Sequence, residues 1–208
     1  LMRIGLACDA GAPPPDVLDL LAAAGLPADA LRDGEPPALI AAGSTTWFLG
    51  SAGDVLRACD RGALDAGVVG SDHLLEGRLG AADLLDLCRC RDELVFAVAP
   101  TSVRADRRLR VATRHPDTAR RYFDESGAQP DVFVLDEPVL APALGLADGV
   151  VELKARVRTG LAGVPDLETR AIVATCSAHL VASRAARVLR RADFAALIDR
   201  LRAALEDT

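Results

Sequence analysis

Hydrophobic and polar positions follow two periods along the chain, and the switches between them mark out the elements. "MRIGLAC" is a short apolar run that ends in the small-residue stretch "DAGAPPP". Pro14 and Pro15 suit the first turn of a helix. "VLDLLAAAGL" carries that helix, with apolar residues at helical spacing, and Gly25 ends it. Pro36 and Pro37 mark a turn, after which "ALIAAG" and "TTWFLG" read as strands. "AGDVLRACDRG" predicts a helix closed by Gly62, and "LDAGVVGSD" a buried strand running into a turn. "HLLEG" predicts a short helix with Ser71 or Asp72 as its cap. "ADLLDLC" and "ELVFAVAP" are two further strands, the second ending at Pro100.

The middle of the chain repeats the alternation. "LRVATR" is a strand, and "HPDTARRYFDESG" a helix with Pro116 near its start and Gly127 past its end. "DVFVLD" is a strand, "VLAPALGLADG" a short helix with its turn, and "VVEL" another strand. "RAIVATCSAHLVAS" is a long apolar strand or a pair of strands. "DFAALIDRLRAALED" is a helix with Phe194, Leu197, Ile198, Leu201 and Leu205 on one face. Strands alternating with helices imply an α/β fold with largely parallel sheets.

The chain's 208 residues suffice for one large domain or two small lobes, each with its own core. Aromatic residues are only 3%, so Leu, Val, Ile and Ala must fill that core. The net charge of −6, with no basic run, argues against nucleic acid and anionic membrane as partners, since both need a positive field. A local basic cluster can still hold a phosphorylated small molecule. The opening "LMRIGLACDAG" does not read as a signal peptide, and no apolar run reaches the length of a membrane span. The expectation is a cytoplasmic protein with no nucleic-acid or membrane partner.

Five cysteines form an odd, scattered set that argues against a disulfide framework. Cys88-Arg89-Cys90 has no second pair at zinc spacing, and His73, His115 and His179 are far apart in sequence. No metal site is expected from them. The stretch "VELKARVRTGLAG", residues 151–163, is where phosphate chemistry is concentrated. It follows an apolar run and carries Lys154, Arg156, Arg158, Thr159, Gly160 and Gly163. Backbone N–H groups at a glycine-rich turn cradle phosphate, and Arg and Lys neutralise the remainder.

Three segments together, "DVLRACDRGALDAGVVGSDHLLE", "RVATRHPDTARRYF" and "LAPALGLADGVVEL", resemble the short form of ATP phosphoribosyltransferase. The similarity runs in order from about residue 45 onward. The resemblance implies an α/β protein of two lobes, like the type II periplasmic binding proteins, with the active site in a cleft between lobes. Lobe I would be residues 1–92 and 172–208, and lobe II residues 93–171. The family reaction joins N1 of the ATP adenine to C1 of phosphoribosyl pyrophosphate, with magnesium (Mg2+), and releases pyrophosphate. It opens histidine biosynthesis. The chain's length matches the form without a C-terminal regulatory domain. Such forms assemble as homo-oligomers or with a regulatory subunit similar to histidyl-tRNA synthetase.

The resemblance carries a set of substrate-binding residues: Asp72, Thr113, Arg114, Glu152, Arg156, Arg158, Thr159 and Gly160. No catalytic residue is assigned. The family's phosphoribosyl loop reads Asp, two or three residues, then Glu-Thr-Gly-Arg-Thr-Leu. Without a gap, Glu152 takes the Asp position, Arg158 and Thr159 match, and Arg156, Val157 and Gly160 replace Thr, Gly and Leu. With three extra residues, Thr159-Gly160 falls on the Thr-Gly and Ala162 loses the second hydroxyl. Valine at a glycine position crowds a phosphate and resists positive φ.

Other basic positions have changed. Cys8 and Ala10, then Ser51 and Gly53, stand where the family has cations, and Asp92 and Glu93 precede the strand at 94–99. The family glutamate before the short helix falls at Val139, with Glu137 close by. A charge-assisted hydrogen bond contributes about 1.5–3 kcal/mol, so losing three weakens binding or rate on the order of 10³- to 10⁶-fold. Each retained candidate also has a structural alternative: Asp72 as a helix cap, Arg114 as a solvated charge, Arg156 and Arg158 as a basic loop. Three readings follow. The chain is a divergent but active ATP phosphoribosyltransferase, a repurposed enzyme acting on a less anionic small molecule, or a non-catalytic binding or regulatory paralogue.

Overall fold

A computed structural model describes residues 2–8, 11–77, 80–100, 108–158 and 166–206. In chain order the elements begin with β1 (Met2–Ala7), α1 (Pro15–Ala23), β2 (Ala38–Ala42), β3 (Thr45–Gly50) and α2 (Ala52–Asp60). Then come β4 (Ala66–Gly70), α3 (Ser71–Leu75), β5 (Ala82–Asp86), β6 (Asp92–Val98), β7 (Arg110–Thr113), α4 (Pro116–Glu125) and β8 (Asp131–Val134). The last are β9 (Gly149–Leu153), α5 (Lys154–Val157), β10 (Glu168–Cys176), β11 (Ala178–Ala182), α6 (Arg184–Leu189) and α7 (Arg191–Glu206). They divide into two compact units, residues 1–91 with 177–208, and residues 92–176. The crossings fall at 91/92 and 176/177, against expected positions of 92/93 and 171/172, because β10 stays paired with β6 as far as Cys176.

The first unit is built on a sheet of order β2-β3-β1-β4-β11-β5. Successive strand residues face opposite sides. Val68 and Leu180 therefore join one core with Leu18, Leu21, Trp47, Phe194, Leu197 and Leu201, while Val69 and Val181 join another with Val55, Leu56 and Cys59. Helices α1 and α7 thus cover one face and α2 the other. Glycines in β1 and β4 let α2 lie close: a Cβ on Gly5 or Gly67 would come within 2.7 or 2.6 Å of a Val55 methyl. Helix α1 starts at Pro15 and is followed by Gly25 at φ +75°, and α2 is capped by Ser51, whose hydroxyl accepts the Asp54 N–H.

The second unit is a sheet of order β10-β6-β9-β7-β8. Its core is made of small residues, Ala97, Ala112, Ala141, Ala147 and Val150. On α4, Phe123 meets Phe96 edge-to-face with centroids 5.1 Å apart.

Several expectations need correction. The sheets are mixed. β1 pairs in parallel with β3 and β4, and β7 with β8 and β9, but every other pairing among the described residues is antiparallel. The reasons are local: β2 and β3 form a tight hairpin, and β11 re-enters the first sheet between β4 and β5, antiparallel to both. The cap of α3 is Gly70, without a side-chain bond, so Ser71 and Asp72 lie inside the first turn. The short helix after residue 137 is a single 3-10 turn, Pro138–Leu140. Helix α6, which the hydrophobic pattern does not announce, precedes α7 and is capped by Ser183.

Cys88 and Cys90 are free thiols in the loop between β5 and β6, and both have left-handed backbones, φ 52° and 50°. Two carboxylates hold that loop. Asp86 accepts the Cys88 N–H at 2.8 Å and the Ser177 hydroxyl at 2.7 Å. Asp16 accepts the Cys90 N–H at 2.9 Å and its S–H at 3.3 Å. Burial, and then the Asp16 carboxylate, push the Cys90 thiol up to about 12, so it is a poor nucleophile. Burial acts to raise both carboxyls. The hydrogen bonds outweigh it, led by the backbone N–H of Cys90 on Asp16 and of Cys88 on Asp86, and leave both below the ordinary carboxylate value.

Candidate functional site

In the second unit the ends of β7 and β9 carry the polar residues. The parallel register sets Thr113 against Val151, and one step further along the same register lies Arg114 beside Glu152. The Thr113 hydroxyl donates to the Val151 carbonyl at 2.7 Å and accepts the His115 N–H at 2.9 Å. This fully buried side chain locks the strand end just before Arg114. Pro116 then begins α4.

Glu152 is 0% exposed, so its charge must be matched. Arg114 supplies two contacts, Nε to Oε2 at 3.0 Å and Nη2 to Oε1 at 3.3 Å. The Leu153 N–H donates to Oε1 at 2.8 Å, and Arg156 Nε lies 3.8 Å from Oε2. Arg156 also reaches outward, where Nη2 donates to Glu137 Oε2 at 2.8 Å.

The expected phosphate loop begins as a single helical turn, α5, rather than as open loop. The antiparallel register of β6 and β9, which pairs Leu94 with Leu153 and Val95 with Glu152, continues into it. That continuation puts Glu93 opposite Lys154 and Asp92 opposite Ala155. Lys154 Nζ donates to Glu93 Oε2, and the Ala155 N–H donates to Asp92 Oδ2 at 3.2 Å. Arg158 is exposed, and its N–H closes the turn on the Lys154 carbonyl at 3.0 Å. Thr159 and Gly160 lie outside the described residues.

The structure thus brings Thr113, Arg114, Glu152 and Arg156 together within one unit, with Arg158 at the end of the adjoining turn. Asp72 belongs to the first unit, 4% exposed in the first turn of α3. It folds back over Gly70, where a Cβ would sit 2.2 Å from Asp72 Oδ1. Its Oδ2 lies 3.6 Å from His73 Nε2. Asp92, Glu93, Glu137 and Lys154 are parts of the cluster that do not belong to the set carried by family resemblance. Each had a separate signal in the sequence, Lys154 in the basic stretch, Glu137 near the family glutamate position and the acidic pair at 92 and 93. With Glu93 and Lys154 61 residues apart and Arg156 and Glu137 19 apart, nothing announced their pairing.

Magnesium needs oxygen ligands with free lone pairs, and usually keeps several waters beside one or two carboxylates and a substrate phosphate. Glu152 does not fit that role, because its oxygens face two guanidinium groups and a backbone N–H. Glu93 and Glu137 each face a cation. This cluster is not built to hold a resident divalent ion.

Helices packed on two mixed sheets with this strand order define a class, the type II periplasmic-binding-protein fold. The periplasmic aliphatic sulphonate binding protein SsuA of Escherichia coli superposes with a TM-score of 0.58 at 14% identity, over 98% of this chain and 72% of that one. The ATP phosphoribosyl transferase (HisG:HisZ) complex of Thermotoga maritima gives 0.78 at 20% identity, over 100% of both chains. The sequence model of the family HisG, ATP phosphoribosyltransferase, matches residues 51–203. ATP phosphoribosyltransferase from Rubrobacter xylanophilus is 36% identical over 88% of this chain and 88% of its own length. That from Pseudomonas paraeruginosa is 36% identical over 92% of each. The chain belongs to the ATP phosphoribosyltransferase family, which opens histidine biosynthesis.

Proposed function

We propose that this protein is a divergent ATP phosphoribosyltransferase. N1 of the ATP adenine attacks C1 of phosphoribosyl pyrophosphate. The N1–C1 bond forms, the bond from C1 to the pyrophosphate oxygen breaks, and pyrophosphate departs with the electron pair. The observation that carries this reading is Glu152, a buried carboxylate that orients Arg114 and Arg156 at the end of β9. It does so in a chain 36% identical to named ATP phosphoribosyltransferases over most of its length.

In this reading Arg114, Arg156 and Arg158 neutralise substrate phosphates, and Thr113 positions Arg114. Thr159 and Gly160 offer hydroxyl and main-chain N–H to the ribose phosphate. Magnesium arrives on the polyphosphates as part of the substrate. In the same reading the protein acts in the cytoplasm as a homo-oligomer or with a histidyl-tRNA-synthetase-like subunit; the T. maritima neighbour, a HisG:HisZ complex, supports an assembly of this kind. No described helix is long and apolar enough to cross a membrane.

Mixing ATP, phosphoribosyl pyrophosphate and magnesium, with and without such a subunit, should release pyrophosphate, and Thr159→Val should abolish release. Absence of release under both conditions sinks the reading. One observation favours a second reading, a repurposed enzyme with a less anionic small-molecule substrate. Arg114, Lys154, Arg156 and Arg158 stand against an equal number of carboxylates, Asp92, Glu93, Glu137 and Glu152, so the cluster has no surplus positive charge. That reading expects no turnover, but thermal stabilisation by a different compound.

A further inference from the structure

Three groups in the turn after β9 are of the kind that seek anions: the Lys154 ammonium, the Ala155 N–H and the Arg156 guanidinium. Each faces a carboxylate, from Glu93, Asp92 and Glu137 respectively. These carboxylates differ from Glu152. Glu152 is sealed from water, whereas the Glu137 side chain is 58% exposed and that of Glu93 is 30% exposed. An exposed ion pair is weak and exchanges readily, while a buried one does not. Arg156 therefore has a fixed inner partner and a replaceable outer one.

We propose that Glu93 and Glu137 are built-in competitors for substrate phosphate that set this site's selectivity for compact polyphosphates over singly charged anions. This rests on the reading of the turn as the phosphate-binding part of the site. A tethered carboxylate acts at high effective concentration. A free monoanion gains little by replacing one, since it exchanges one unit of charge for another. A diphosphate offers several charges from one molecule and displaces both carboxylates in a single event. The β6–β9 ladder ends at Leu94 opposite Leu153, so Glu93 and Lys154 are the next residue on either side and their side chains meet just beyond it.

The test is calorimetric titration of inorganic pyrophosphate, and separately of acetate, into the wild-type chain, Glu137→Gln, Glu93→Gln and the double variant. Wild type should bind pyrophosphate and reject acetate. Each single variant should bind pyrophosphate about fivefold more tightly and the double variant on the order of twentyfold, with measurable acetate binding appearing. Unchanged or weaker pyrophosphate binding in the variants overturns the proposal, as does failure of all four proteins to bind it. If Glu93→Gln does not fold, the exposed Glu137→Gln decides alone. Turnover is a separate readout. Variants that shift as expected in a protein that releases no pyrophosphate from ATP and phosphoribosyl pyrophosphate sink the catalytic reading and leave this inference standing.

Discussion

The loop before β6 and the turn after β9 both use carboxylates to hold backbone or side-chain donors, yet they do opposite things. In the loop, Asp16 and Asp86 accept main-chain N–H groups and fix two left-handed cysteines. No ligand can take over those contacts without undoing the loop. In the turn, Glu93 and Glu137 face cations at the surface, and an incoming anion can do the same work. Glu152 sits beside them but behaves like the loop's carboxylates, because burial leaves it no alternative partner. A carboxylate's role here follows from what it holds and how wet it is, not from its proximity to a site.

The largest expected break in that comparison is Glu152→Ala. It strands Arg114 and Arg156 beside a buried gap and should cost about 3 kcal/mol or more, read by chemical denaturation. Asp16→Ala is next, at about 1 kcal/mol at neutral pH, reduced from a buried bond's value because Asp16 is exposed. Its pH dependence has a definite sign. The folded carboxyls of Asp16 and Asp86 titrate below their unfolded values. Their stabilisation is therefore complete above about pH 4 and is lost as pH falls through the folded values. The stability gap between wild type and Asp16→Ala should accordingly close in acid; a gap that widens there contradicts the assignment. Cys88→Gly should stabilise by about 0.5 kcal/mol, since glycine accepts φ 52° freely while adding some unfolded-state entropy. A lower melting midpoint would show that the left-handed backbone carries no strain. The smallest effect is on Glu137→Gln, whose unfolding free energy should stay within about 0.5 kcal/mol of wild type. A larger loss would make Glu137 structural and move it to the loop's side of the comparison.

The sequence made the helices legible where period and punctuation agreed. Pro15 with Gly25 and Pro116 with Gly127 bracket α1 and α4, Gly62 closes α2, and the face Phe194-Leu197-Leu201 marks α7, whereas the Ser51 cap of α2 was not read from the sequence. Strand direction was not legible, because alternation along β11 says which face is apolar and nothing about its neighbours. Asp72 could be drawn as a cap because Ser71 and Asp72 are both good cap residues, but Gly70 takes the extended conformation that precedes the first turn. At the site, family resemblance singled out Arg114, Glu152 and Arg156, and the β7–β9 register supplies the physical reason Arg114 and Glu152 meet. The pairing of Lys154 with Glu93 stayed invisible because attraction between distant charges leaves no periodic trace.

The place of β11 in the first sheet has a consequence for synthesis. β5 hydrogen-bonds only to β11 among the described strands, and β11 is made after the whole second unit. On the ribosome β5 must wait, unpaired at its final position, until residues 178–182 emerge. Residues 92–176 form an uninterrupted span, and every strand of its sheet lies within it. Although its first residue emerges second, that span can complete its own sheet before the one that encloses it in sequence is finished.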